Sequence, residues 1–119
     1  MRDFKGLKVW QKTYSLTLRI YQATMQFPSD ERFGLTNQIR RASASIGTNL
    51  AEGCGYDTDA MTKRFAQIAM GSASEVEYQL LLAHDLKYLS TEDYQTLARD
   101  IEEIKRMLTG YIQSLKADC

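Results

Sequence analysis

This chain has a single histidine, a single proline, two cysteines and no net charge, and each scarcity excludes something. Cys54 and Cys119 make no disulfide framework, and no Cys/His spacing resembles a zinc site. With 15 basic against 15 acidic residues, the molecule as a whole does not advertise a polyanionic partner. No segment approaches the roughly 20 uninterrupted apolar residues that span a bilayer. The stretch from Met1 to Gly6 lacks the apolar run of a secretory signal. A cytoplasmic location with no membrane partner is therefore expected. A phosphate-binding glycine loop, a dinucleotide fingerprint and a nucleophile elbow are all missing, so no catalytic residue, cofactor or small-molecule substrate is assigned and no enzyme is expected.

What is present is helix. A chain of 119 residues, 44% hydrophobic and 25% charged, falls in the range of one ordinary globular domain that buries its own core. The charge is unevenly placed. Through Arg41 there are eight basic and three acidic residues, and from Ala42 onward seven basic and twelve acidic.

Turn signals divide the chain into four long helical stretches. The first runs from about Leu7 to Phe27, with Leu7, Trp10, Tyr14, Thr17, Tyr21 and Met25 on one stripe and Val9, Leu16, Ile20 and Phe27 beside it. Together these cover about half of the circumference, wider than a simple amphipathic face. Pro28 stops it, because the residue before proline is pushed out of the α region. The second helix begins between Ser29 and Thr36 and is expected to stop at Gly53, glycine suiting the left-handed conformation that follows a helix end. Asp57, Thr58 and Asp59 offer N-caps for a third helix of about 27 residues. Its expected core stripe is Phe65, Ile68, Ala69, Ser72, Val76, Leu80, Ala83 and Leu86. Ser90, with Asp93 three residues on, opens a fourth whose seam alternates in threes and fours: Tyr94, Leu97, Ile101, Ile104, Leu108, Tyr111 and Leu115. Short connections make sequential helices antiparallel neighbours, so residues 1–119 are read as one all-α domain, an antiparallel up-down-up-down four-helix bundle.

The stretch Gln38 to Gly53 is unusual. Leu35, Ile39, Ala42, Ile46 and Leu50 share a face, but Ser, Gly, Thr and Asn fill the flanks where a surface helix would carry Lys and Glu. Small flanks imply close approach of another helix on more than one side. Folding back across the Gly53–Asp57 turn sets Ala42 and Ser45 opposite Gly71 and Ile68, with Arg41 near Glu75 and Gln38 alongside. Arg40 and Arg41 then read as solvated charge, as an Arg41–Glu75 structural ion pair, or as nucleic-acid contacts together with Lys8, Lys12 and Arg19. Met70, Ser74, Tyr78 and Leu81 line the back of the third helix, where a bundle helix should meet water. With the over-wide arc of the first helix they suggest an interface between copies, for which Val9, Leu16, Ile20, Met70, Tyr78 and Leu81 are the candidates.

His84 does not make a di-iron site, which needs Glu-x-x-His motifs; the residue three before it is Leu81. It reads as a cover for the end of the third helix. Cys54, between two glycines, reads as an exposed loop cysteine, Cys119 as a terminal one, and Glu52, Asp57 and Asp59 as helix-end carboxylates.

Taken along nearly its whole length, the chain resembles the small bacterial 23S rRNA intervening-sequence proteins. The resemblance is carried by Phe4, Leu7 and Trp10, by Ile20-Tyr21 and Phe27-Pro28, and by Phe33-Gly34-Leu35. It continues through Gln38-Ile39-Arg40-Arg41-Ala42, Ser45-Ile46, Asn49-Leu50-Ala51-Glu52-Gly53 and Ala69-Met70-Gly71-Ser72. It implies a cytosolic four-helix bundle assembled as a ring-shaped homopentamer, and a link to RNA through gene context. Related bundles act as basic RNA-binding accessory factors. Two positions depart from the pattern. The turn after Gly53 is acidic (Asp57, Asp59) where basic residues are usual, and Lys87 stands where glycine is common.

Overall fold

A computed structural model describes residues 2–116. The first helix, α1 (Lys8–Ala23), follows a short 3-10 turn (Phe4–Gly6) and passes into another (Thr24–Gln26) before Phe27 turns extended ahead of Pro28. Leu35–Cys54 forms α2, Asp59–Asp85 α3 and Thr91–Ser114 α4. No strand occurs among the described residues. Each helix packs on its sequence neighbours and α1 also packs on α4, closing a four-helix bundle of 47 × 24 × 23 Å.

The expected caps form. Thr58 Oγ1 accepts from the Met61 amide at 3.3 Å, and Ser90 Oγ from the Asp93 amide at 3.1 Å. The start of α2 is capped from outside the helix: Glu31 Oε1 accepts the Leu35 amide at 3.0 Å, while Tyr88 donates its hydroxyl to Glu31 Oε2 at 3.0 Å. One carboxylate thus ties the head of α2 to the segment after α3. The α4 seam of Leu97, Ile101, Ile104 and Leu108 is fully enclosed, as its heptad spacing requires.

Three details depart from the expectations above. First, α2 does not stop at Gly53; it runs one residue further, and no glycine among the described residues has positive φ. Gly53 serves close approach instead. A Cβ there would come within 2.9 Å of Phe65 Cβ and 3.2 Å of the Thr62 carbonyl oxygen. Cys54 is accordingly not an exposed loop thiol but a buried one in the last turn of α2.

Second, the register of α2 on α3 is one turn away from the expected one. Ser45 Oγ meets Ser72 Oγ at 3.0 Å, whereas Gly71 faces outward and Ile68 is largely exposed. The first turn of α3 overhangs the end of α2, as the Gly53–Thr62 contact shows: Thr62 Oγ1 donates to the Gly53 carbonyl at 2.9 Å. The inner face of α3 is consequently Thr62, Ala66, Ala69, Ala73, Val76, Gln79, Leu80 and Ala83. Leu86, also expected there, is outside.

Third, α1 is turned relative to its expected orientation. Val9, Leu16 and Ile20 are buried in the core, and Thr13 with them. The aromatic stripe through Tyr14 and Tyr21 looks outward. Both arcs are apolar, so periodicity alone ranked them equally. What distinguishes them is shape: β-branched and aliphatic side chains interdigitate in the narrow centre, while the large rings fit at the margin.

Candidate functional site

The rotation of α1 moves the candidate interface. Val9, Leu16 and Ile20, expected to meet another copy, are enclosed within their own chain and unavailable for it. In their place α1 presents Tyr14 and Leu18, each 53% exposed, with Tyr21 and Met25 further along. Residues 14, 18, 21 and 25 follow the helical spacing of one face. Phe4 meets the Trp10 ring edge-on at 4.9 Å, and Trp10 stacks on Tyr14 at 5.1 Å.

Beside this ladder runs an apolar groove of about 300 Å³. Phe4, Trp10, Tyr14 and Thr17 form one wall; Ala44, Gly47, Thr48 and Ala51 of α2 form the other. The small residues that looked out of place in the sequence are therefore disposed on three sides. Ser45 and Asn49 lie toward α3, with Asn49 Nδ2 donating to Ser45 Oγ at 3.0 Å. Ser43 and Gly47 lie toward α1, the Ser43 carbonyl accepting from Thr17 Oγ1 at 3.2 Å and Gly47 abutting Trp10. The remaining side, Ala44, Thr48 and Ala51, is left open.

On α3 the expected back face is partly as read. Tyr78 is 63% and Leu81 46% exposed, whereas Met70 is half-buried against the core.

The basic candidates fare unequally. Lys12 does not face free solvent: its ammonium pairs with Glu103 at 2.8 Å and Asp100 at 3.5 Å of α4. The hydrogen bond to Glu103 raises the Lys12 pKa and holds the Glu103 carboxyl below its ordinary range. Arg19 pairs with Asp100 at 2.7 Å. These two cations stitch α1 to α4. Arg40 ties α2 to the end of α1: Nε donates to Thr24 Oγ1 at 2.8 Å, a terminal nitrogen donates to the Tyr21 carbonyl at 3.1 Å, and the guanidinium lies 4.9 Å from the Tyr21 ring centre. Cations at a helix C-terminus interact favourably with its exposed carbonyls. Arg41 and Glu75 border one crevice with Asn37, Gln38 and Ser45. The expected ion pair between them does not form among the described residues; Glu75 instead accepts from Gln79 Nε2 at 3.3 Å. Lys8 and Arg41 are exposed and in no ion pair within the described residues.

At the opposite end, three chain segments meet at Arg2. Its guanidinium pairs with Asp59 and donates to Thr62 Oγ1 at 2.9 Å, and its amide donates to the Cys54 carbonyl at 2.9 Å. Asp59 also accepts the Lys116 amide at 3.0 Å, and this bond, then Arg2, lowers its pKa. Cys54 Sγ lies 3.9 Å from the Tyr111 hydroxyl, which burial pushes up to about 12. His84 stacks on Tyr94 at 4.5 Å and shares a 3.3 Å hydrogen bond with Thr91, covering the α3–α4 turn. Cys119 lies outside the described residues.

No group of three His, Cys, Asp or Glu that could hold a metal occurs among the described residues, and none of the described helices is long and apolar enough to cross a membrane. What the geometry offers is surface: an aromatic groove on α1 and α2, and a tyrosine–leucine corner on α3.

The family model described as 23S rRNA-intervening sequence protein matches residues 5–110. A crystal structure of a protein with unknown function from the S23 ribosomal protein family of Bacteroides thetaiotaomicron is similar at 28% identity and a TM-score of 0.81. The similarity covers 88% of this chain and 95% of that one. No curated protein matches.

Proposed function

Because the chain belongs to the 23S rRNA-intervening sequence protein family, we propose that it is a non-enzymatic, self-assembling helical scaffold of the cytoplasm. The observation that carries this reading is the apolar surface left over after the bundle has closed. Tyr14, Leu18, Tyr21 and Met25 on α1, and Tyr78 and Leu81 on α3, remain in water when every core position is filled. Scattered apolar residues on a surface need no explanation, but aligned ones beside an aromatic groove mark an interface. The family resemblance points to five copies in a ring.

Light scattering tests it. Replacing Tyr78→Glu and Leu81→Glu together shifts the particle toward the 13.6 kDa monomer while helicity is retained. An unchanged mass rejects the outward face of α3 as a contact.

The description of the family, and the outward Lys8 and Arg41, support a second reading as an RNA-binding accessory protein. Pairing of Lys12 and Arg19 with α4 leaves fewer cations for phosphate than the sequence promises. RNA affinity that falls steeply with salt favours this reading, and a flat dependence counts against it.

A further inference from the structure

We propose that Asp59 is a latch. Its carboxylate holds the segment before α1 and the segment after α4 closed over the thiol of Cys54, and its release uncovers that thiol while the four helices stay folded. The proposal is independent of the self-assembly above and concerns the end of the bundle where α2 and α4 stop.

The first observation is how one side chain is shared. Asp59 opens α3, and each of its carboxylate oxygens takes a different piece of chain. Oδ1 receives the Arg2 guanidinium, and Oδ2 accepts the Lys116 amide at 3.0 Å. Arg2 then crosses the last turn of α2: its amide donates to the Cys54 carbonyl and its guanidinium to Thr62 Oγ1, both at 2.9 Å. A helix leaves its last carbonyls without partners inside the helix. Here those of Gly53 and Cys54 are met from outside it, by Thr62 and Arg2.

The second is what lies beneath. Cys54 is 1% exposed, and its Sγ lies 3.9 Å from the Tyr111 hydroxyl. Tyr111 stands one turn before Leu115, the first residue past α4, where the backbone turns extended and brings Lys116 to Asp59. Leu115 is buried yet lies outside the contiguous apolar core. Both straps thus converge on Cys54. One binds its carbonyl, and the other places a tyrosine against its sulfur.

The third is how weakly the closure is held. The Arg2 and Asp59 side chains are 33% and 30% exposed, and ion pairs in contact with water contribute little to stability. The core behind them, from Leu50 to Leu108, is fully enclosed. Segments fastened by a few polar contacts open locally at a smaller free energy than the whole fold. Breaking the contacts of one carboxylate therefore uncovers Cys54 without taking the bundle apart. The opposite end is also fastened by one carboxylate, Glu31, which bridges the Leu35 amide and the Tyr88 hydroxyl and so supplies a control of like chemistry.

Alkylation by iodoacetamide reads the latch. The Cys54 thiolate displaces iodide, and peptide mass analysis separates its product from that of Cys119. In the unaltered chain Cys54 is expected to react far more slowly than in denaturant. Asp59→Asn keeps the shape and removes the charge. It should speed the reaction about tenfold, the size expected for losing a hydrogen bond to a charged group. Glu31→Gln should leave the rate unchanged. In the Asp59→Asn chain the rate should barely respond to low urea, because opening one end exposes little surface. An Asp59→Asn rate equal to that of the unaltered chain overturns the proposal. So does a thiol that reacts in the unaltered chain as fast as in denaturant. A rate that climbs steeply with urea, or rises equally in Glu31→Gln, overturns it as well, because general unfolding then exposes the thiol. Should circular dichroism show helix loss in Asp59→Asn, Arg2→Gln, which removes the guanidinium and keeps the amide, takes its place with the same expected outcomes.

Discussion

Lys87 closes α3 in a left-handed conformation, φ 67°, the only non-glycine residue with positive φ among those described. Its amide bonds to the His84 carbonyl and the Tyr88 amide to the Ala83 carbonyl, both at 2.9 Å, the paired bonds of a Schellman end. A side chain in that conformation costs roughly 1 kcal/mol. Lys87→Gly is therefore expected to stabilise the fold by about that amount, raising the midpoint of thermal unfolding by a few degrees. A midpoint that is unchanged or lower contradicts this. The family resemblance implies glycine where this chain has Lys87, but not why, because that depends on a dihedral angle. Gly53 teaches the converse. As a letter it reads as a helix stop; in space it is the point where Thr62 and Phe65 press on α2.

Among the elements, those with a single apolar stripe were legible and those with two were not. The α4 seam and the caps at Thr58 and Ser90 stand where periodicity put them. On α1 the aromatic stripe and the aliphatic stripe compete, and only packing volume decides between them. Which cations are spent on α4 was equally hidden, since Lys12 and Asp100 meet across 88 residues of chain. Contacts between distant elements also predict how the fold responds to alkaline pH. Tyr111 of α4, buried beside Cys54 of α2, has its hydroxyl held near 12 against an ordinary value of about 10. A pKa raised on folding contributes stability that is fully present below the unfolded value and is lost as pH climbs to the folded one. Lys12, also raised, loses its contribution in the same direction, above about 10.4. Melting temperature should thus fall between pH 10 and 12. Tyr111→Phe should flatten that fall, because phenylalanine has no proton to lose. An equally steep fall in the variant shows that Tyr111 does not govern it.

At the scale of the molecule, a slim bundle of 13.6 kDa with zero formal charge keeps two apolar faces in water on opposite corners. That apolar surface would be left over was legible through Tyr78 and Leu81. Its location on α1 was not, because the ring-bearing side of that helix passes equally well for core until a partner helix takes the other side. A self-assembling scaffold requires that sister chains cover these faces. Native mass spectrometry of the unaltered protein at micromolar concentration asks this directly. A discrete assembly at an integer multiple of 13.6 kDa is the expected result, and a particle that stays at one chain's mass contradicts it.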